Sequence, residues 1–331
     1  MSRAAILYFT DKGAQMGEML AEKLNCTAQK PPKGGLSAIT EKLFHEVDAL
    51  IFIGACGIAV RAIAPHVVRK TSDPAVIVLD EQGKHVISLL SGHIGGANDL
   101  ARRIAGYTGG EAVITTATDV NGRFSVDAWA ATHDCVIDDM EKAKEYAATI
   151  LKRDLPLWTD FEVCGNLPGG VFLGQEGACG AAISVEANAH PFDMTLRLIP
   201  RIVHIGIGCK RGTPKEKIKA AVTLALQEAG VDQRAIKSVA SIDVKQNEEG
   251  LHAYCRDQQL PLSFYTAQEL QAVPGDFIHS DYVFKTVGVG NVCDRAAMRS
   301  AGEGARLLLG KMILDGVTVG VAQEKWSVSF E

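Results

Sequence analysis

Residues 89–105 read LLSGHIGGANDLARRIA, and within this stretch the pattern changes from strand-like to helix-like. Its first residues end an apolar run, 85–90, that is typical of a buried β-strand. Its last part carries apolar residues at the spacing of one face of an amphipathic helix: Ala97, Leu100, Ala101, Ile104 and Ala105. The stretch therefore predicts a strand, a glycine-rich turn and a helix.

The turn contains a histidine, His93, among Gly92, Gly95 and Gly96. Glycine permits positive φ angles and the close approach of a ligand, and the first amides of a helix favour anions. An imidazole changes its protonation near neutral pH. The turn is therefore a candidate site, although many such turns bind nothing and a single histidine there can equally serve packing or capping.

The composition limits the function classes. The chain has 331 residues, of which 47% are hydrophobic, and a formal net charge of −5. This length predicts two or three domains. The net charge provides no overall basic field for nucleic acid, and no apolar run reaches the roughly 18 residues that span a membrane. Residues 1–10 are interpreted as a first strand and not as a secretory signal. We expect a cytoplasmic protein that binds neither nucleic acid nor membrane.

The cysteines and histidines argue against a dedicated metal site. The eight cysteines are scattered and form no C-x-x-C pair, and the nine histidines form no H-x-x-x-H pair. Scattered thiols are typical of proteins in a reducing cytosol. We therefore expect no metal site built by the protein alone.

Buried strands that alternate with helices predict the α/β fold class. We predict two α/β domains with mainly parallel sheets, residues 1–136 and 202–331, joined by a small β-rich middle module, residues 137–201.

Ligands of such sheets collect at the carboxyl ends of the strands. In the first domain we expect three loops at such ends, 54–57, 91–96 and 116–122. The strands at 75–79 and 86–90 are candidates for a hairpin.

In the last domain, residues 206–212 form a second glycine-rich loop after a strand, and this loop carries Lys210 and Arg211. The sequence then predicts a helix with Thr213 at its N-cap and Pro214 in its first position.

Further along, the sequence predicts a strand at 283–287 and an alanine-rich helix that ends near residue 309. Lys311 is expected just before the last strand, 317–322.

Two groups of residues resemble the cobalt-precorrin-5A hydrolase family, CbiG, of anaerobic cobalamin biosynthesis. In the first half the matching pieces are residues 57–65 (GIAVRAIAP), 73–76 (DPAV) and 89–98 (LLSGHIGGAN). In the second half they are residues 206–212 (GIGCKRG), 240–245 (ASIDVK), 260–262 (LPL) and 292–294 (VCD), together with Lys311. The resemblance covers nearly the whole chain and is weakest in the middle module.

The resemblance implies the reaction. The substrate would be cobalt-precorrin-5A, a cobalt corrinoid with a δ-lactone between the ring A acetate and the methylated meso carbon between rings A and D. Water would open the lactone, and the extruded carbon would leave as acetaldehyde, giving cobalt-precorrin-5B. No cofactor is expected, since the substrate carries the cobalt. A homo-oligomer, or contact with neighbouring pathway enzymes, is compatible with the sequence.

Lactone hydrolysis needs a base for the water and donors for the developing oxyanion. We assign His93 as the base and the amides of Gly92, Gly95 and Gly96 as donors. Asp119 or Asp243 either orients a histidine or is itself the base.

The peripheral carboxylates of a corrinoid precursor need hydrogen-bond donors and positive charge. Loop cations can supply these, although a single lysine is more often only a solvated surface charge. The full set of expected substrate-binding residues is Gly57, Arg61, Ser91, Gly92, Gly95, Gly96, Asn98, Thr118, Asn121, Gly206, Gly208, Cys209, Lys210, Arg211, Gly212, Ser241, Lys245 and Lys311.

Three alternatives stay open. A thiol nucleophile could be Cys56, Cys209 or Cys293, because each lies at a predicted strand-to-helix turn. The protein could be a non-catalytic corrinoid carrier or scaffold. It could also be a phosphate- or nucleotide-binding α/β enzyme, although neither G-x-x-x-x-G-K-[ST] nor G-x-G-x-x-G occurs.

Overall fold

A computed structural model describes residues 3–69 and 72–330. The chain divides into two compact units. The first runs up to Ala131 and includes Ile150–Lys152, and the second comprises Thr132–Thr149 and the chain from Arg153 onward. Both contain sheets with several parallel strand pairs, and helices alternate with the strands, which confirms the predicted α/β class. Among the described residues, no helix is long and apolar enough to cross a membrane.

The first unit is built on a sheet of six strands in the order β2-β1-β3-β4-β5-β6. The strands are β1 (Ala4–Tyr8), β2 (Thr27–Gln29), β3 (Ala49–Ile53), β4 (Ala75–Leu79), β5 (His85–Leu90) and β6 (Glu111–Val113). The helices are α1 (Asp11–Leu24), α2 (Leu36–Glu46), α3 (Cys56–Ile63), α4 (Ala97–Thr108), α5 (Ala117–Val120) and α6 (Val126–Thr132). Every residue of β3 and β4 is buried, as expected for central strands covered on both faces.

One pairing in this sheet changes where the loops lie. β4 and β5 are antiparallel, so Leu90 pairs with Val76 at the beginning of β4, whereas the other neighbouring strands of the sheet are parallel. The loop after β5 therefore lies at the opposite edge of the sheet from the loop after β3. Loops 54–57 and 91–96 each follow the carboxyl end of a strand, as predicted, but they do not meet, because the predicted hairpin reverses the chain direction.

The second unit begins with a sheet in the order β10-β8-β11-β12-β7, parallel except for β7. Its elements, with the short β9 that lies between β8 and β10 in the chain, are β7 (Cys135–Ile137), α7 (Met140–Ile150), β8 (Leu155–Thr159), β9 (Val163–Cys164), β10 (Val171–Leu173), β11 (Cys179–Ile183) and β12 (Met194–Pro200).

The last sheet has the order β15-β14-β13-β17-β16. Its strands are β13 (Val203–Cys209), β14 (Ile236–Ile242), β15 (Leu262–Tyr265), β16 (Arg306–Leu314) and β17 (Val317–Gln323), and the short β18 (Val328–Ser329) pairs with β9. The helices are α8 (Lys215–Ala229), α9 (Glu249–Gln258), α10 (Ala267–Gln271), α11 (Asp281–Val287) and α12 (Cys293–Ala301). This sheet is mixed, because β17 is antiparallel to both β13 and β16.

Three local predictions for this part of the chain were wrong. The predicted strand 283–287 belongs to helix α11, because Ser280 caps its first turn and Gly288 ends it with a φ of 79°. The alanine-rich helix α12 ends at Ala301 before Gly302, so Lys311 lies within β16. Helix α8 begins at Lys215 with Pro214 at its N-cap, one residue later than predicted. The Thr213 hydroxyl therefore does not cap the helix but donates a hydrogen bond to the Lys210 carbonyl.

Gly206 fixes how closely α12 packs on β13. An ideal Cβ at this position would lie 1.8 Å from the Cys293 carbonyl oxygen and 2.6 Å from the Ala297 amide nitrogen. We expect Gly206→Ala to lower the free energy of unfolding by about 3 kcal/mol or more, because both obstacles are backbone atoms. Guanidinium unfolding measures this.

The matched control for that measurement is Gly310→Ala in β16 of the same sheet. There the nearest atom is a Leu307 methyl carbon at 3.7 Å. Equal unfolding midpoints for the two variants would contradict the assigned packing.

Candidate functional site

A cluster of polar side chains surrounds His93 in the first unit. The imidazole Nε2 lies 2.9 Å from Asp119 Oδ2 and 3.2 Å from Thr118 Oγ1, and Nδ1 lies 3.1 Å from Asp127 Oδ1. We call His93, Asn98, Arg102, Thr116, Thr118, Asp119 and Asp127 the His93 cluster. It combines two strand-end loops, because β5 and β6 run parallel and end at the same edge.

Asp119 is the most heavily hydrogen-bonded member of the cluster. Its carboxylate accepts hydrogen bonds from the Thr116 hydroxyl at 2.6 Å and the Asn98 amide at 3.1 Å, and it pairs with the Arg102 guanidinium. Burial by itself would raise the pKa of Asp119, but the hydrogen bonds from Thr116, Arg102 and His93 lower it below its usual value. Asp119 is therefore a fixed negative charge at neutral pH.

His93 is held between two carboxylates. Its hydrogen bond with Asp127 has the largest effect and raises the pKa of His93; burial opposes this, while the charge of Asp127 and the contact with Asp119 add to it. The imidazole therefore keeps its proton to a higher pH than an unperturbed histidine. It can accept a proton from water only after it has released one.

The glycines of the turn allow close packing within the turn. A Cβ on Gly92 would lie 2.7 Å from Asn98 Oδ1, and a Cβ on Gly95 would lie 2.4 Å from the Cβ of Ser91, which itself has a φ of 57°. The amide of Gly96 already donates to the His93 carbonyl at 2.8 Å. The turn thus fixes the histidine tightly, and the Gly96 amide is occupied within the turn.

Asp127 was missed by the sequence analysis. It lies in the first turn of α6, beyond the predicted polar loop 116–122. The sequence offered one indication of this role, an acidic residue shortly after the predicted polar loop. An acidic residue is equally common in the first turn of a helix, so the indication was not specific.

We expect Asp127→Asn to lower the pKa of His93, because it removes the contact that raises this pKa most. The other groups facing the ring, Asp119 and Thr118, stay in place. Titration of the His93 ring protons by NMR measures the shift. Asp80→Asn is the control, since Asp80 contacts a different imidazole, that of His85, at 3.4 Å. An unchanged His93 titration in Asp127→Asn would contradict the contact.

Four expected binding residues of the first unit are not part of the His93 cluster. Gly57 and Arg61 are on α3 at the opposite sheet edge from the His93 cluster, and the Arg61 guanidinium donates to the Gly57 carbonyl at 3.1 Å. The Asn121 side chain donates to the Ala117 carbonyl at 2.8 Å and so closes α5. Ser91 is buried, and its hydroxyl donates to the Asp73 carbonyl.

The second unit contains a cavity of about 490 Å³, which we call the cationic cavity. Six of the predicted binding residues line it: Gly208, Cys209, Lys210, Arg211, Lys245 and Lys311. Its other lining residues come mainly from α11, from the start of α12 and from the β16–β17 hairpin: Ile242, Tyr282, Val283, Thr286, Val287, Asn291, Val292, Cys293, Gly316 and Thr318.

The cavity brings together cations with few partners. Lys245 pairs with Glu248 at 3.1 Å. Within the described ranges 3–69 and 72–330, Lys210, Arg211 and Lys311 form no ion pair. The walls beside these cations are apolar, so the cavity suits a ligand with an apolar body and anionic groups at its edge.

Four predicted residues of this region do not line the cavity. Gly206 packs under α12, the Ser241 hydroxyl donates to the Ile207 carbonyl at 2.7 Å, and the Gly212 amide donates to Glu248 at 2.5 Å. Asp243 is half-buried and begins a short 3-10 helix, Asp243–Lys245. These residues support the loops that carry the cations.

The thiols near the cavity are poor nucleophiles. Burial, with a contribution from Asp294, raises the pKa of Cys293 to about 12. Burial also raises the pKa of Cys209. Because the thiolate is the reactive form, neither residue supports the thiol alternative. Cys56 lies at the sheet edge away from the His93 cluster.

A metal site is not evident in the part of the chain that the structure describes. No group of three or more histidine, cysteine, aspartate or glutamate side chains is arranged there to hold a metal ion.

Comparison with known proteins identifies the family. Residues 38–119 match the family model described as Cobalamin synthesis G N-terminal, and residues 203–322 match the one described as Cobalamin synthesis G C-terminus. A cobalt-precorrin-5A hydrolase from Salmonella typhimurium is 37% identical over 319 residues, which cover 91% of this chain and 90% of that protein. The chain belongs to the cobalt-precorrin-5A hydrolase family. The resemblance seen in the sequence is thereby confirmed.

Two further relatives extend the comparison. A cobalt-precorrin-5A hydrolase from Priestia megaterium is 31% identical over 308 residues, covering 87% of this chain and 82% of that protein. A crystal structure of a cobalamin biosynthesis protein G homologue from Sulfolobus solfataricus covers 97% of both chains with 21% identity and a TM-score of 0.42. The cationic cavity and most of the His93 cluster lie within the ranges that match the family models, whereas Asp127 lies beyond them.

Proposed function

We propose that this chain hydrolyses the δ-lactone of cobalt-precorrin-5A in the cytoplasm and releases acetaldehyde, giving cobalt-precorrin-5B. Two relatives that are 37% and 31% identical over most of the chain are named cobalt-precorrin-5A hydrolases. The observation in the structure that carries the proposal is the cationic cavity, with Lys210, Arg211, Lys245 and Lys311 around apolar walls.

The cavity supplies the binding part of the proposal. A corrinoid precursor has a large apolar ring with acetate and propionate groups at its periphery, and the cations are placed to bind such carboxylates. A charge-assisted hydrogen bond contributes roughly 1.5–3 kcal/mol. Lys210, Arg211 and Lys311 can give that energy to a ligand without breaking an ion pair within the described residues.

The His93 cluster supplies the chemical part. Neutral His93 would take a proton from the attacking water, whose oxygen bonds to the lactone carbonyl carbon. The ring oxygen of the lactone leaves with a proton, which the imidazolium can return, and the acetate becomes a free carboxylate. Asp119 and Asp127 hold the imidazole and favour the imidazolium that forms.

The second step separates acetaldehyde. The freed hydroxyl group loses its proton and becomes the aldehyde carbonyl as the bond from the meso carbon to the ring breaks. The electron pair of that bond stays with the macrocycle, which takes up a proton. Cobalt enters and leaves with the corrinoid, and we propose no further cofactor.

The test is to incubate the purified protein with cobalt-precorrin-5A and to measure acetaldehyde with an NADH-coupled alcohol dehydrogenase, alongside the mass of the corrinoid product. We expect stoichiometric acetaldehyde at a rate that is proportional to enzyme. Corrinoid binding without acetaldehyde would favour the carrier alternative, and tight nucleotide binding without turnover would favour the phosphate-binding alternative.

A further inference from the structure

Helix α11 forms one wall of the cationic cavity and is poorly buried. It contains no buried residue, although its sequence, DYVFKTV, is half apolar. Tyr282, Val283, Thr286 and Val287 face the cavity, and Tyr282 is 80% exposed. Tyr282 therefore places a large aromatic side chain beside the cavity with most of its surface free to contact a ligand.

The segment that carries Tyr282 is anchored at its base. The Asn291 side chain is almost fully buried; it donates a hydrogen bond to the Ile278 carbonyl at 3.2 Å and another to Asp294 at 2.7 Å. The Ser280 amide donates to the Gly290 carbonyl at 2.9 Å. The wall is thus held in place at the cavity. Val283 and Val287 pack in part on the core beneath it and line the cavity with the rest of their surface, whereas Tyr282 remains exposed.

We infer that the α11 wall, through Tyr282 with Val283 and Val287, binds the apolar face of a corrinoid macrocycle, and that Tyr282 is a specificity-determining residue. The inference rests on the proposed function and adds the part of the ligand that the cations do not recognise. Charge complementarity selects this occupant, because the same cavity presents four cations to peripheral carboxylates. A small polycarboxylate can pair with the cations only, whereas a corrinoid with peripheral carboxylates can pair with the cations and also make apolar contacts with the α11 wall.

The experiment compares two probes on the full-length protein. Cobyrinic acid is a cobalt corrin with free peripheral carboxylates, and citrate is a small tricarboxylate with no apolar ring. We expect Tyr282→Ala to raise the Kd for cobyrinic acid about tenfold and to leave the Kd for citrate unchanged. Tyr282→Phe should bind both probes as the wild type does. Absorbance titration and calorimetry at one ionic strength measure these constants.

The matched control is Tyr107→Ala, which removes a partly exposed tyrosine from α4 of the first unit. It should change neither constant. The inference is overturned if the wild type does not bind cobyrinic acid, if Tyr282→Ala binds it normally, or if Tyr282→Ala weakens both probes equally. Failure of the proposed function is distinct, since it means no acetaldehyde from cobalt-precorrin-5A in the wild type while the Tyr282 effect on cobyrinic acid persists.

Discussion

His93→Asn should lower kcat for acetaldehyde release about 100-fold or more, with KM nearly unchanged. Asparagine keeps the approximate size and polarity of the side chain but removes the group that titrates. The imidazole contacts Asp119 and Asp127 and lies outside the cationic cavity, so binding by the cavity cations should be preserved. Steady-state kinetics on cobalt-precorrin-5A separate the two parameters.

The control for this substitution is His85→Asn, which removes an exposed imidazole of the same unit. It should leave both kinetic parameters within a few-fold of the wild type. If kcat of His93→Asn also stays within a few-fold, His93 is structural, and Asp119 or Asp243 becomes the leading candidate for the base.

The pH dependence of kcat tests independently whether His93 is the general base. A general base acts in its neutral form, and the contacts with Asp127 and Asp119 raise the pKa of His93. The wild-type kcat should therefore rise with pH through a midpoint above the ordinary histidine value. In Asp127→Asn that midpoint should move to lower pH, in parallel with the NMR titration.

The double variant Lys210→Gln/Lys311→Gln should raise KM about 100-fold, with a small change in kcat. Two charge-assisted hydrogen bonds are lost. Lys210 is exposed and Lys311 is half-buried, so each bond contributes at the low end of the usual range, about 1.5 kcal/mol. Both lysines line the cationic cavity, and neither forms an ion pair within the described residues that would compensate. Added salt should raise KM of the wild type more than that of the variant, because salt screens the two lysine charges that only the wild type has.

The control has the same net charge. Lys217→Gln/Lys325→Gln removes two exposed lysines of the second unit that do not line the cavity. It should leave KM within about twofold of the wild type. A similar KM rise in both double variants would mean that overall charge, and not the cavity, attracts the substrate.

Loop 206–212 shows how much of the site a local sequence pattern can predict. Loop 206–212 was predicted with its cations, and the structure places Lys210 and Arg211 on the cavity as a loop after a strand should place them. Gly206 belongs to this motif and Ser241 to motif 240–245, yet Gly206 allows close helix packing and Ser241 supports a loop. A sequence motif does not separate these roles, because a buried glycine has the same signature whether a helix or a ligand lies above it.

The sequence by itself determined the strand–turn–helix around His93, the α/β class and the loop cations, because these follow from the spacing of apolar residues and glycines along a short stretch of chain. Only the tertiary structure decided which of these features meet. The direction of β5 moved Gly57 and Arg61 to the other sheet edge, and the packing of α6 brought Asp127 to His93. Helix α11 became a cavity wall although its apolar residues also suit a strand. Strand pairing and helix packing depend on contacts between distant residues, and the local pattern does not contain those contacts.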